Sequence, residues 1–127
     1  MKRVLITGGT GFVGANLARR LLGDGHDVHL LARSKHNPWR IEVIRSSIHL
    51  HVTGLDDVDG LVKLVTLVRP DWIFHLATYG AYPTQTDFNQ MVQTNVVGTA
   101  NLVQASVAVG FEAVSYTHLT LPTILRV

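Results

Sequence analysis

The chain has 127 residues, of which 46% are hydrophobic and 16% charged, with a formal net charge of +2. This length allows at most one domain, and the composition favours a buried sheet over a disordered chain. The small net charge argues against a nucleic-acid partner, and the lack of cysteine excludes disulfides and Cys-based zinc sites. No apolar run is long enough for a signal peptide or a membrane span, so we expect a cytoplasmic protein without a membrane partner.

A glycine-rich turn, Thr7–Gly14, separates the first predicted strand from the first predicted helix. The apolar run Val4–Ile6 precedes it and the amphipathic segment Ala15–Leu22 follows it. Its spacing, Gly-x-x-Gly-x-x-Gly, differs from the dinucleotide fingerprint by one residue in the first interval. A plain strand-to-helix connection is the alternative. A second strand at the distance of a βαβ unit favours a dinucleotide site instead.

Each glycine of the turn has a predicted task. Gly8 and Gly9 permit the tight turn, and Gly14 lets the helix pack against the strand. Gly11 lets the backbone approach a pyrophosphate, to which the helix N-terminus adds a partial positive charge. The backbone groups expected to receive the pyrophosphate are those of Gly8, Gly11, Phe12 and Val13.

The motif Thr7–Gly14 and its setting resemble the short-chain dehydrogenase/reductase superfamily, in its extended branch of NAD(P)-dependent sugar epimerases and dehydratases. The resemblance covers residues 1–113. It implies an NAD(P)-binding Rossmann half-domain, which is a truncated, doubly wound, parallel α/β sheet of strand order 3-2-1-4 with four helices. It also implies a longer parent enzyme that acts on a nucleotide sugar, and it allows a homodimeric parent.

The end of the second strand bears on the choice between NAD and NADP. We expect helix one to end near Gly23–Gly25 and the strand to cover His26–Ala32. NAD-selective enzymes usually place a carboxylate at the end of this strand, but this chain has Ala32 followed by Arg33. Arg33 can form charge-assisted hydrogen bonds to a 2′-phosphate, so the sequence favours NADP. An ordinary solvated basic loop is the alternative.

A short helix, Pro38–Ile44, and a third strand, Ile48–Val52, are predicted next. His49 and His51 have a spacing that suits metal ligands on one face of that strand. No third ligand is evident, and polar positions on an edge strand are the commoner explanation, so no metal site is predicted.

The segment after the third strand departs from the family pattern. The family commonly has an Asp that touches the adenine where this chain has Gly54, so that contact is not expected. Asp56 or Asp57 is predicted to cap the following helix, which runs to about Val68.

The run Trp72–Ala77 predicts a central fourth strand with one histidine. His75 has an unperturbed pKa near neutrality and could act as an acid or base, but a packed, hydrogen-bonded histidine is the favoured interpretation. The resemblance implies that Ala77 and Thr78 border the ribose and nicotinamide of the cofactor. Tyr79 or Tyr82 could stack on a ligand or could be rim aromatics.

A long helix is predicted from about Thr86 to Val109. It carries Asn95-Val-Val-Gly98-Thr, which matches a family element whose Asn supports the active-site water and backbone geometry. We carry that supporting role to Asn95 and assign Gly98 to close helix packing. An exposed Asn95 is the alternative.

The catalytic residues of the family are missing from this chain. The family has a Ser or Thr on the fifth strand and later a Tyr-x-x-x-Lys pair, which exchange a proton with the substrate and hold its oxyanion. Here Ser115 and Tyr116 are adjacent, and Thr120 stands where lysine is required. We therefore assign no catalytic residue and expect this chain alone to be inactive.

The amino-acid sequence of residues 114–123 is identical to the translation of a transposase-type sequencing adapter in one reading frame. Val127 matches the valine that precedes the stop in such a product. We therefore expect the part of this chain that comes from the natural protein to end at Ala113, and residues 114–127 to be a non-native tail. The alternation of Val114–Leu119 would nevertheless suit a fifth strand.

Two other classes of function remain open for this chain. One is an NADP-binding sensor without chemistry, and the other is an interaction protein whose glycine turn only shapes the fold.

Overall fold

Five strands form one parallel sheet in the order β3-β2-β1-β4-β5. The computed structural model describes residues 1–79 and 84–116. The predicted parallel α/β fold and its strand order are confirmed, and a fifth strand follows where the tail was expected to allow one. The strands are β1 (Arg3–Thr7), β2 (Asp27–Ala32), β3 (His49–Val52), β4 (Trp72–His75) and β5 (Ala113–Tyr116).

Helices connect the strands and cover both faces of the sheet. Crossovers of this kind are required because parallel neighbours cannot be joined by a tight hairpin. The helices are α1 (Phe12–Gly23), α2 (Val58–Val68), α3 (Phe88–Val92) and α4 (Gly98–Val109), with a 3₁₀ segment (Pro38–Ser47) and a π-helical turn (Gln93–Val97). Among the described helices, none combines the length and apolar character that crossing a bilayer requires.

Strand β1 is the centre of the sheet and is buried on both faces. Its apolar residues alternate between two core clusters, because successive side chains of a strand point to opposite faces. Val4 and Ile6 pack with α1 and the 3₁₀ segment, whereas Leu5 packs with α2 and α4. The first cluster contains Ala15, Ala18, Leu21, Val28, Leu30, Ile41 and Ile48. The second contains Leu31, Leu61, Leu64, Val65, Val68, Ile73, Leu102 and Ala105.

Local signals set the ends of the first two helices. Helix α1 ends at Gly23, and Gly25 follows with a φ of +85°, as the predicted glycine turn requires. Asp57 accepts a hydrogen bond of 2.9 Å from the Gly60 N–H, so it is the residue that caps α2.

Two predicted helices differ in type from those observed. The segment that starts at Pro38 is a 3₁₀ helix and extends to Ser47. The long helix begins at Phe88, which Asp87 caps, and its middle turn is π-helical. A π turn contains one extra residue, which shifts the apolar pattern out of the 3.6-residue period used for the prediction.

Candidate functional site

The glycine turn lies directly against the end of β4. Gly8 has a φ of +73°, and a Cβ there would lie 2.8 Å from the Ala77 nitrogen and 2.8 Å from the Leu76 carbonyl carbon. Real Cβ atoms do not approach other atoms so closely. Any side chain at position 8 would therefore push the turn away from β4.

Gly11 and Gly14 have different surroundings. A Cβ on Gly14 would overlap the Gly8 oxygen and lie 2.8 Å from Gly9 Cα, so this glycine lets α1 pack on the turn directly after β1. A Cβ on Gly11 would meet only the Gly8 oxygen, at 3.3 Å. The fold therefore depends on Gly14, whereas a Cβ on Gly11 would require the Gly8 oxygen to shift by only a few tenths of an ångström.

The first turn of α1 is left free for an anion. Gly11 is its N-cap residue, makes no side-chain cap, and no acidic residue lies in the first turn. The side chains of Phe12 and Val13 are 68% and 62% exposed. The first N–H groups of a helix have no intrahelical acceptor and carry a partial positive charge. This helix end can therefore receive a phosphate through its backbone.

A buried chain of hydrogen bonds joins β1, β4 and α4 beneath the turn. Thr7 Oγ1 lies 2.6 Å from His75 Nδ1, and His75 Nε2 lies 2.8 Å from Thr99 Oγ1. Thr7 Oγ1 also accepts from the N–H groups of Leu76 and Ala77, each at 3.1 Å. Strand β4 ends at His75, two residues before the end predicted for it, and the Leu76 N–H that follows is shared between Thr7 Oγ1 and the Thr7 carbonyl oxygen.

The bonds of Thr7 fix the tautomer of His75. Because the Thr7 hydroxyl oxygen already accepts two N–H groups, its own proton is donated to His75 Nδ1. His75 then carries its proton on Nε2 and donates it to Thr99. Burial lowers the pKa of His75 to about 4. The favoured prediction of a packed, hydrogen-bonded histidine is thus confirmed, and a neutral imidazole is held at this position.

Asn95 fixes the segment that follows β4. It is fully buried, its Oδ1 accepts from the Tyr79 N–H at 2.9 Å and from Thr78 Oγ1 at 3.1 Å, and its Nδ2 donates to the Tyr79 oxygen at 2.7 Å. One amide side chain thereby satisfies both backbone groups of Tyr79. The π-helical turn contains Asn95 and accommodates this placement. The exposed alternative for Asn95 is wrong, and Tyr82 lies outside the described residues.

Two arginines lie near the predicted cofactor surface, one just after β2 and one against the glycine turn. Arg33 is exposed just after β2, and its carbonyl oxygen accepts a hydrogen bond of 2.6 Å from the ring of His36. Arg40 was not predicted, but its Nη1 donates to the Thr10 oxygen of the glycine turn at 3.4 Å. Within the described part of the chain, Arg40 Nε is a buried donor without a hydrogen-bond partner. The sequence gives no sign that the 3₁₀ segment folds back onto the turn.

A second polar cluster lies on the outer part of the sheet. The sequence offers His49 and His51 as a pair of possible ligands without a third one. The structure places Asp27 and His29 of β2 beside them. The alternation Asp27-x-His29 was the available signal, but it needs the register of β2 against β3 to become meaningful.

The neutral state of His75 makes stability depend on pH. The unfolded chain has a histidine pKa of about 6.5 and the folded one about 4, so the unfolded state binds more protons between these values. The contribution of His75 is complete above pH 6.5 and is lost as the pH falls towards 4, with an upper value of about 3 kcal/mol. Urea unfolding at several pH values should show this loss.

The matched variant for this test is His75→Gln, which can still donate and accept. It should have a flatter pH profile than the wild type, with a remaining slope from His29 and His51, whose pKa values burial also lowers. His36→Gln is the control and should keep the wild-type profile. Equal slopes for wild type and His75→Gln would contradict the assignment.

Comparison with known proteins agrees with this geometry. The chain is 35% identical over 118 residues to the UDP-glucose 4-epimerase of Mycolicibacterium smegmatis, which covers 91% of this chain and 38% of that protein. It is 36% identical over 120 residues to the 3-beta-hydroxysteroid dehydrogenase of Mycolicibacterium neoaurum. That match covers 91% of this chain and 31% of the dehydrogenase. The Bordetella bronchiseptica enzyme WbmG, solved in complex with NAD and UDP, shares the fold with a TM-score of 0.79, at 24% identity, over 91% of this chain and 37% of that one.

The match to a family model covers most of the chain. It extends over residues 4–118 and is to the NAD dependent epimerase/dehydratase family. The chain spans about a third of the length of the curated relatives that it matches. The resemblance predicted from Thr7–Gly14 is confirmed, and the chain belongs to the NAD dependent epimerase/dehydratase family.

Proposed function

We propose that this chain is the dinucleotide-binding part of a nucleotide-sugar epimerase, dehydratase or reductase. The observation that carries the proposal is the glycine turn, which presents the uncapped start of α1 beside the end of β4. Ligands of open α/β sheets bind at the carboxyl ends of the strands, where the strand order reverses. Here that point lies between β1 and β4, at the glycine turn.

The pyrophosphate of the cofactor would rest on the turn. Gly8 and Gly11 would supply close backbone approach, and Phe12 and Val13 would donate their N–H groups at the helix start. Gly14 would act indirectly, because it keeps α1 packed on the turn.

The other end of the cofactor would pass the segment after β4. Ala77 and Thr78 are partly exposed there and are held by Thr7 and Asn95 through the hydrogen bonds described above. They would border the ribose and nicotinamide. Asn95 would act as a positioning residue, because its amide is occupied by Thr78 and Tyr79.

We propose NADP as the preferred cofactor on the basis of two arginines. Arg33 follows a strand end without a carboxylate, and Arg40 reaches the glycine turn with one buried donor still unpaired. A 2′-phosphate at the adenosine end would complement both charges. A bound dinucleotide supplies hydride transfer, and this chain contributes its binding and orientation.

The parent enzyme would oxidise a sugar nucleotide transiently and reduce it again. The proton transfer requires a Ser or Thr and a Tyr-x-x-x-Lys pair beyond the part of the family present here. This chain alone would bind cofactor without catalysis. A homodimeric parent and a cytoplasmic location stay predictions from the sequence.

Substitution Gly11→Asp should abolish dinucleotide binding while the fold persists. A carboxylate there would repel the pyrophosphate, whereas the added Cβ would require only a small shift of the Gly8 oxygen, 3.3 Å away. NADPH binding followed by fluorescence titration should weaken at least a hundredfold, or about 3 kcal/mol. Gly23→Asp places the same charge at the exposed far end of α1, where a Cβ meets nothing within 4 Å, and is the control. Unchanged binding by Gly11→Asp would refute the cofactor site.

Substitution Arg33→Asp tests the preference for NADP. Loss of a charge-assisted bond to the 2′-phosphate should weaken NADPH binding roughly tenfold to a hundredfold, with NADH less affected. Lys35→Asp, two residues further along the same exposed loop, is the matched control and should change both cofactors little. Equal losses for NADPH and NADH in Arg33→Asp would remove the 2′-phosphate from the proposal.

The source DNA should continue differently after the codon for Ala113. Sequenced from a library made without the transposase-type adapter, the frame should encode a strand with a catalytic Ser or Thr and then a Tyr-x-x-x-Lys helix. Residues 114–127 would then be a non-native tail. If the same tail and stop reappear, the adapter assignment is wrong and the non-catalytic NADP-binding module becomes the leading hypothesis in place of the enzyme.

A further inference from the structure

Four polar residues of β2 and β3 meet on one face of the sheet. His29 pairs with His49 in the parallel register, and Asp27 and His51 each lie two residues away on their own strands. Alternate residues of a strand share a face, so all four side chains project to the side on which Leu31 joins the second core cluster. The cluster therefore combines a carboxylate with three imidazoles.

The donor atoms of this cluster lie close together. Asp27 Oδ2 is 3.1 Å from His29 Nε2, and Asp27 Oδ1 is 3.2 Å from His49 Nε2. One ligand atom from each of these three residues lies within 4.8 Å of the other two. In a tetrahedral zinc site with bonds of about 2.0–2.1 Å, ligand atoms are roughly 3.3–3.4 Å apart. The two Asp27 separations are close to this value but involve different carboxylate oxygens, so side chains must turn to bring all three ligand atoms to that geometry.

We propose that Asp27, His29 and His49 bind a divalent transition-metal ion of the zinc type. Two imidazoles and one carboxylate are a donor set for zinc and similar borderline ions, and not for Ca²⁺ or Mg²⁺, which prefer oxygen alone. Water would complete the coordination. The His29 and His49 rings stack with centroids 4.4 Å apart, so one ring has to turn on binding. The His49 side chain is 60% exposed and has the space to turn.

His51 would orient the ligand His29 from behind. Its Nε2 lies 2.9 Å from His29 Nδ1. Without metal, His29 Nε2–H donates to Asp27, and His51 Nε2–H donates to His29 Nδ1. With metal on His29 Nε2, the His29 proton moves to Nδ1 and the His51 proton moves from Nε2 to its own Nδ1, so His29 Nδ1–H donates to His51 Nε2 instead. The hydrogen bond reverses direction, no donor is lost, and the ring stays fixed, as in sites where a partner holds the ligating histidine.

The cluster is separate from the proposed cofactor site. Asp27 and His49 are the first residues of their strands, and Asp27 pairs with Arg3 at the start of β1. The glycine turn follows Thr7 at the opposite end of β1. Metal binding is therefore independent of dinucleotide binding, and each can be measured without the other.

The test uses the chain without an affinity tag, because a polyhistidine tag binds the same ions. Co²⁺ binding is followed by the visible absorption of the bound ion, and Zn²⁺ binding is measured by isothermal titration calorimetry. We expect one ion per chain and at least a tenfold weaker affinity in Asp27→Asn and in His49→Gln. His36→Gln removes a histidine outside the cluster and should bind as the wild type does.

Two results would overturn the proposal. One is the lack of saturable Co²⁺ or Zn²⁺ binding by the wild type, which would leave the cluster as a hydrogen-bonded pairing of β2 with its edge strand. The other is equal affinity in Asp27→Asn, His49→Gln and His36→Gln. Far-ultraviolet circular dichroism shows whether each variant is folded. Position 49 is exposed, so His49→Gln keeps the test decisive if Asp27→Asn fails to fold.

Discussion

The hydroxyl of Thr7 is the interaction on which the cofactor edge of the sheet depends. It accepts two backbone N–H groups after β4 and donates to a buried imidazole, while the Leu76 N–H also donates to the Thr7 carbonyl oxygen at 3.1 Å. Buried polar groups without partners each cost about 1–3 kcal/mol, which makes this oxygen hard to replace. Because Thr7 directly precedes the first glycine of the turn, the same residue fixes where the turn begins and where β4 ends.

Helix α4 and the π turn before it extend this control to the opposite side of the candidate site. Thr99 receives the far end of the His75 bridge, and Asn95 holds Tyr79 by its backbone. The segment from Leu76 to Tyr79 is therefore fixed by β1 on one side and by the helix on the other. A ligand that lies along it would meet backbone groups already in place, which reduces the ordering cost of binding.

Local patterns predicted much of this molecule, and long-range contacts account for what they missed. The apolar runs of β1 and β4, the glycine turn and the Asp57 cap are contiguous signals that could be read directly, and the strand order followed from the family resemblance that the glycine turn carries. The π turn was not predicted, because its one extra residue shifts the apolar pattern out of the 3.6-residue period of an α-helix. The reach of Arg40 to the turn and the meeting of Asp27 with His49 depend on packing and register, which a linear pattern does not contain.

The free side of β5 has a consequence for the behaviour of this chain at high concentration. Within the described residues, β5 pairs with β4 alone, and its four residues, Ala113–Tyr116, carry no charge. The outer N–H and C=O groups of such a strand form a template on which a strand of another molecule can add. Charged or proline-containing edges discourage that addition, and β5 has neither. Self-association of the isolated chain would therefore start at this edge, far from the histidines that line β3 at the other.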